Sequence, residues 1–187
     1  NIIREKTAIV FQNPDNQFIG ATVADDIAFG LENRQVPHEK MQSIIEEYAK
    51  KTGVYDLLNK TPENLSGGQK QKVAIAGILA MLPDVIVFDE ALAMLDLESK
   101  QEINALITNI KNEHPSLTII RITHDLDEAL NSKRMIILNQ GKIVADDEPI
   151  KIFKNHDIID TLGVKAPFII ELNEVLKNEG LIDKENY

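Results

Sequence analysis

Residues 65–76 read Leu-Ser-Gly-Gly-Gln-Lys-Gln-Lys-Val-Ala-Ile-Ala, and this run decides the fold. Ser66 is a residue type that caps a helix, and Gln69 stands three residues later, the spacing of a capping box. Gly67 and Gly68 leave the backbone bare beside the first free N–H groups of that helix. Those donors and the helix dipole make an anion site, and the absent side chains let a phosphate come close. An isolated Ser-Gly-Gly is equally compatible with an ordinary capped helix and a glycine turn. The full run is more specific, because here it precedes an apolar strand that ends in Asp89-Glu90. It predicts phosphate binding.

Outward from this run, strands and helices alternate. Thr7–Phe11 is a short apolar run with β propensity, followed by the turn-forming stretch Gln12-Asn13-Pro14-Asp15-Asn16-Gln17. Residues 22–31 read as a short helix with Thr22 as cap and Asp25 and Asp26 in its first turn. Pro37 opens a longer helix on which Met41, Ile44, Ile45, Tyr48 and Ala49 share one face, and Gly53 ends it. The phosphate-binding helix is expected over residues 66–82, stopped by Pro83. Val85–Phe88 is wholly apolar, as strands inside parallel sheets are. A helix with Ile103, Leu106, Ile107 and Ile110 on one face follows, then a strand over 117–122 leading to Thr123-His124-Asp125, then a short helix over 126–130. Strands over 135–138 and 142–144 flank Gln140-Gly141, and from Glu148 the pattern is helical. There Phe168, Ile169, Leu172, Val175 and Leu176 form a second stripe. This alternation implies an α/β architecture.

The chain has 187 residues, is 43% hydrophobic and 27% charged, and carries a formal net charge of −10. That length supports one domain with a sizeable core, and the composition excludes a disordered chain. The acidic balance argues against binding along a nucleic-acid backbone and against adhesion to anionic lipid. With no cysteine there is neither a disulfide nor a thiolate metal site. No apolar stretch approaches the roughly 20 residues of a membrane span.

Asp89 and Glu90 close an apolar strand, where open α/β sheets bind ligands. Two adjacent acids there can divide the work, one holding Mg²⁺ and one acting on water, or they can be a solvated turn. His124 at the end of a second apolar strand and Gln12 at the end of the first are polar strand-end residues of no special meaning alone. Asp96 is placed to cap the helix carrying Ile103.

Taken in order, these residues resemble the motifs of the ABC-type ATPases, the nucleotide-binding subunits of ATP-binding-cassette transporters. Leu65–Gln69 resembles the signature motif, Val85–Glu90 the Walker B strand, Gln12 the Q-loop glutamine, Asp96 the D-loop aspartate and His124 the switch histidine. Within that family, Phe11–Phe18, Thr22–Asn33, Phe88–Ala91 with Met94–Asp96, and the tail around Leu162-Gly163 and Pro167-Phe168 look like the ATPases of energy-coupling-factor (ECF) importers, which drive uptake of vitamins and of cobalt or nickel. Leu92-Ala93 and Asp147 depart from the family's commoner residues.

The resemblance implies a P-loop NTPase core with an inserted α-helical subdomain. It implies a core strand and Q-loop over 1–19, the helical subdomain with the signature over 20–82, the catalytic half of the core over 83–147 and a C-terminal helical segment over 148–187. ATP and Mg²⁺ are the implied cofactors, with Asp89 and Gln12 serving the metal, and Glu90, His124 and Gln12 the reaction. Ser66, Gly67, Gly68, Gln69 and Asp96 would meet nucleotide across a dimer interface. The implied partners are a second ATPase subunit and integral-membrane subunits at the cytoplasmic face, with no nucleic acid.

None of the nine glycines begins the G-x-x-x-x-G-K-[ST] cradle of a P-loop, and Gly141-Lys142 runs on into Ile143. The family places that loop before Gln12, on a strand between the one leading to His124 and the one over 135–138. The expectation is therefore a truncated core, inactive alone, with two unpaired strand edges. Two other readings fit the sequence less closely. Repair ATPases of this family carry a long coiled coil between Q-loop and signature, which has no counterpart here, and translation types carry two cassettes. A non-catalytic interaction fragment, or the ATPase of another importer class, is the remaining alternative.

Overall fold

A computed structural model describes residues 2–181. Three parallel strands, β1 (Thr7–Phe11), β2 (Val85–Asp89) and β3 (Thr118–Ile122), pair in that order. The register sets Thr7 beside Val85 beside Thr118, and Phe11 beside Asp89 beside Ile122. Helices α1 (Ile2–Lys6), α2 (Val23–Asn33), α3 (His38–Lys51), α4 (Gly67–Ala80) and α5 (Leu97–Glu113) complete this part of the chain.

The strand period of two separates the sheet into two faces. Val10, Ile86 and Phe88 point into the main core, with Ile119 packed against it. There they join Val23, Ile27 and Leu31 of α2, Ile45, Tyr48 and Ala49 of α3, Val73 and Ala76 of α4, and Ile103, Ile107 and Ile110 of α5. The faces of α3 and α5 are those expected from the 3.6-residue period, whereas α4 is buried nearly all round. The opposite sheet face carries Ile9, Phe11, Ile120 and Ile122, between 44% and 50% exposed.

The caps follow from the sequence. Thr22 Oγ1 accepts from the Asp25 N–H at 3.2 Å while the Asp25 carboxylate accepts from the Thr22 N–H at 3.0 Å, a capping box. Pro37 precedes α3, and beyond its end Gly53 adopts φ +72°, the left-handed turn that glycine allows at least cost.

A second unit begins at Thr123. It holds α6 (Leu126–Leu130), the antiparallel pair β4 (Met135–Asn139) and β5 (Lys142–Asp147), and helices α7 (Pro149–Phe153), α8 (His156–Leu162) and α9 (Phe168–Asn178). Its core is Phe153, Ile159 and Ile170, with Leu126, Leu130, Met135 and Ala166 packed against them. The stripe expected on α9 differs. Phe168, Ile169 and Val175 are exposed, and the helix anchors by Ile170 near its start instead.

Among the described residues, the outer edge of β3 pairs with no strand, and β4 pairs only with β5. No helix among them is long and apolar enough to cross a membrane.

Candidate functional site

Because β1 and β2 run parallel with Phe11 beside Asp89, the residues that follow them emerge together at the carboxyl end of the sheet. Phe11, Gln12, Asn13, Asp89 and Glu90 line an open cleft of about 420 Å³ there. Asp89 and Glu90 are half-buried and Gln12 is exposed. Glu90 has φ +49°, in the left-handed region that side chains disfavour. Its N–H donates to the Ile122 carbonyl at 2.9 Å, so β3 fixes the turn that aims it.

Two carboxylates and two side-chain amides give this cleft a set of hard oxygen donors. That set fits Mg²⁺, which takes one or two carboxylates and completes its shell with water and phosphate oxygens. No group of three or more acidic, histidine or cysteine side chains among the described residues could hold a metal. Asn13 was not singled out from the sequence. It also shapes the loop, since its Oδ1 accepts from the Asp15 N–H at 2.9 Å.

A second constellation forms at the start of α4. Ser66 caps the helix: its Oγ accepts from the Gln69 N–H at 3.3 Å, and the Gln69 Oε1 accepts from the Ser66 N–H at 3.1 Å. The Lys70 N–H closes on the Ser66 carbonyl at 2.9 Å. The N–H groups of Gly67 and Gly68 are therefore the first-turn donors that neither helix nor cap uses. The two glycines serve different ends. Gly67 is exposed, and a Cβ there would come only within 3.5 Å of Leu95. Gly68 is buried, and a Cβ there would fall 2.4 Å from Ser99 Oγ and 2.8 Å from Ser99 Cβ. Its bare α-carbon makes room for α5.

Ser99 links this turn to Asp96. Asp96 caps α5, its Oδ1 accepting from the Ser99 N–H at 2.9 Å and its Oδ2 from Ser99 Oγ at 2.8 Å. Those bonds hold the Asp96 carboxyl below its ordinary value. The helix-cap reading of Asp96 and its place beside the signature turn are thus compatible.

His124 lies in the second unit, exposed, two residues past the end of β3. Its neighbours are tightly arranged. Thr123 Oγ1 donates to Glu128 Oε2 at 2.9 Å and accepts from the Asp125 N–H at 3.0 Å. The Asp125 carboxylate caps α6 through the Asp127 and Glu128 N–H groups at 3.1 and 3.3 Å.

The ABC transporter family model matches residues 1–93. The energy-coupling factor transporter ATP-binding protein EcfA1 of Streptococcus thermophilus (strain CNRZ 1066) is 48% identical over 185 residues, covering 99% of this chain and 67% of that protein. The protein of the same description from Mycoplasmopsis pulmonis is 46% identical over 187 residues, covering 100% and 70%. Among solved structures, CbiO1 of Clostridium perfringens, described as part of the ABC transporter complex CbiONQ, superposes with a TM-score of 0.77 at 35% identity. That match covers 92% of this chain and 69% of the other. The chain thus spans about two thirds of the length of the relatives it matches.

Proposed function

Because the chain belongs to the ABC transporter family, we propose that it serves as the ATP-hydrolysing part of a subunit that energises an ECF-type importer of vitamins or transition-metal ions. The observation that carries this reading is the convergence of Gln12, Asp89 and Glu90 in one cleft, in a chain that also bears the capped turn Ser66–Gln69. The transport role is the one named for the relatives.

Each residue has a task that its chemistry suits. Asp89 and Gln12 would hold Mg²⁺, which neutralises phosphate charge when bound. Glu90 orients or deprotonates the attacking water, held at the cleft by its constrained backbone. His124 donates to the terminal phosphate. Ser66, Gly67, Gly68 and Gln69 present the free N–H groups of α4 to the ATP of a second subunit, and Asp96 works across the same interface. Two ATPase subunits would close on nucleotide and open after hydrolysis, moving integral-membrane partners at the cytoplasmic face.

The 187 residues contain no glycine-rich phosphate cradle with its lysine, so the chain by itself is expected to release no phosphate from Mg-ATP. A phosphate-release assay on the purified chain checks this, and a rate abolished by Glu90→Gln would overturn it. In a subunit that supplies the cradle, Glu90→Gln should lower turnover by roughly 10²- to 10⁴-fold with ATP binding retained. Ser66→Arg should instead prevent the ATP-dependent dimer. Unchanged turnover in Glu90→Gln would remove Glu90 as the catalytic carboxylate.

A further inference from the structure

Gln71 lies on α4 two residues past the signature, and it is fully buried, with 0% of its surface exposed. Thr52, the other buried polar residue among those described, gives its hydroxyl to the Tyr48 carbonyl at 2.9 Å. Gln71 is less well provided for. Its Nε2 donates to the Phe11 carbonyl at 3.3 Å, and its Oε1 has no hydrogen-bond partner among the described residues. An apolar side chain of that shape would leave no such oxygen unmet, so the amide costs stability where it sits.

What the amide holds gives it a purpose. Phe11 is the last residue of β1, and Gln12 follows it directly. The Phe11 carbonyl also accepts from Gln17 Nε2 at 3.4 Å, while the Phe11 N–H donates to Gln17 Oε1 at 3.4 Å. The neighbouring Lys70 pairs with Asp15, on the far side of the same loop. Successive residues of α4 therefore grip both ends of the stretch 12–15. The exposed Lys70–Asp15 pair is a weak tether. The buried amide is the rigid one.

We propose that Gln71 is a positioning residue: it fixes Gln12 to the signature turn, so that a displacement of Ser66–Gln69 is carried to Gln12 through one hydrogen bond from a buried amide. This rests on the reading above, in which Gln12 serves the chain's own ATP site and Ser66–Gln69 that of its partner. Gln71 then joins the two sites within a single subunit. The unused Oε1 offers an acceptor to the N–H groups of the 12–16 loop when that loop shifts, so the link has a second arrangement available to it.

The test is a coupling measurement on the chain itself, by ¹⁵N relaxation and amide shifts. Gln71→Met keeps the volume and removes the donor. It should leave the melting temperature within a few degrees and the interior of α4 rigid. The order parameters of Gln12, Asn13, Asp15 and Asn16 should fall from about 0.85 towards 0.6 or below. Ser66→Ala, which loosens the α4 cap, should shift the Gln12 amide. In the Gln71→Met background that shift should shrink to less than about a third, the non-additivity of residues that act as a unit. Unchanged loop order, no transmitted shift in the parent sequence, or an undiminished one in Gln71→Met would each overturn the proposal. Should Gln71→Met not fold, the unaltered chain decides: the Gln71 side-chain amide protons should exchange at least about tenfold more slowly than those of exposed Gln101, and equal rates would refute the bond. None of these readouts needs nucleotide, so failure here and failure of the ATPase reading are separable.

Discussion

At the scale of single residues, the site depends on backbone positions that most side chains avoid. Glu90 holds φ +49°, and the catalytic role proposed for it gives a reason to accept the strain. Glycine and alanine both remove its carboxylate, so comparing them isolates the backbone cost. Glu90→Gly should be more stable than Glu90→Ala by about 1 kcal/mol in urea titrations, because only glycine enters this region freely. An equal or reversed order would mean that the turn relaxes when the side chain is removed. Gly68 poses the opposite problem, of space and not of angle. Gly68→Ala should cost about 1–3 kcal/mol by driving a methyl group into Ser99. Adding Ser99→Gly should recover most of that loss in thermal melts, at the expense of the Asp96–Ser99 hydroxyl bond.

At the scale of elements, helix ends were the part of the molecule most legible in the sequence. Ser66, Thr22 and Asp96 all cap helices, because a cap is a bond between residues three apart and needs no knowledge of the tertiary fold. The apolar faces of α3 and α5 were legible for the same reason of local period. Gln71 was not, since its partner lies 60 residues away and nothing near it in the chain marks it. The split role of Gly67 and Gly68 depends on Ser99, again a tertiary matter. The stripe on α9 misled because periodicity reveals an amphipathic helix without saying how much of that face finds a neighbour. The Asp96 cap also carries a pH signature. Its carboxyl is held below the ordinary value, chiefly by the Ser99 N–H and then the Ser99 hydroxyl. A depressed value means that the stabilisation is present above the unfolded-state value and is lost as pH falls through the folded one. Asp96→Asn keeps a capping oxygen and does not titrate. Unfolding free energies taken from about pH 5 down to pH 2 should therefore fall less steeply in Asp96→Asn than in the parent. Parallel curves would mean that the cap does not distinguish the charged form.

At the scale of the whole molecule, each unit has strand edges that pair with no strand among the described residues, and exposed apolar side chains beside them. In the first, Ile9, Phe11, Ile120 and Ile122 occupy the half-exposed face of a parallel sheet whose kind is ordinarily buried on both sides. In the second, Ile136 and Leu138 of β4 are exposed beside an open edge. Such edges recruit other strands. The chain is therefore expected to self-associate by strand pairing, giving light scattering that rises with concentration, with weak hydrogen-exchange protection over Met135–Leu138. A monomer at every concentration, with that strand strongly protected, would count against this. The order of the sheet has a further consequence, for assembly in time. Lys6 and Asp84, joined by a salt bridge where β1 and β2 begin, are 78 residues apart in the chain. A ribosome therefore delivers β1 long before β2, the strand it pairs with here. Helices α2, α3 and α4 close through nearer contacts and emerge in the interval. Loop closure over that distance delays the sheet relative to the helices. Until β2 is made, Thr7-Ala8-Ile9-Val10-Phe11 is a wholly uncharged segment without the partner strand it has here, and a chaperone that shields such segments would act at this stage of synthesis.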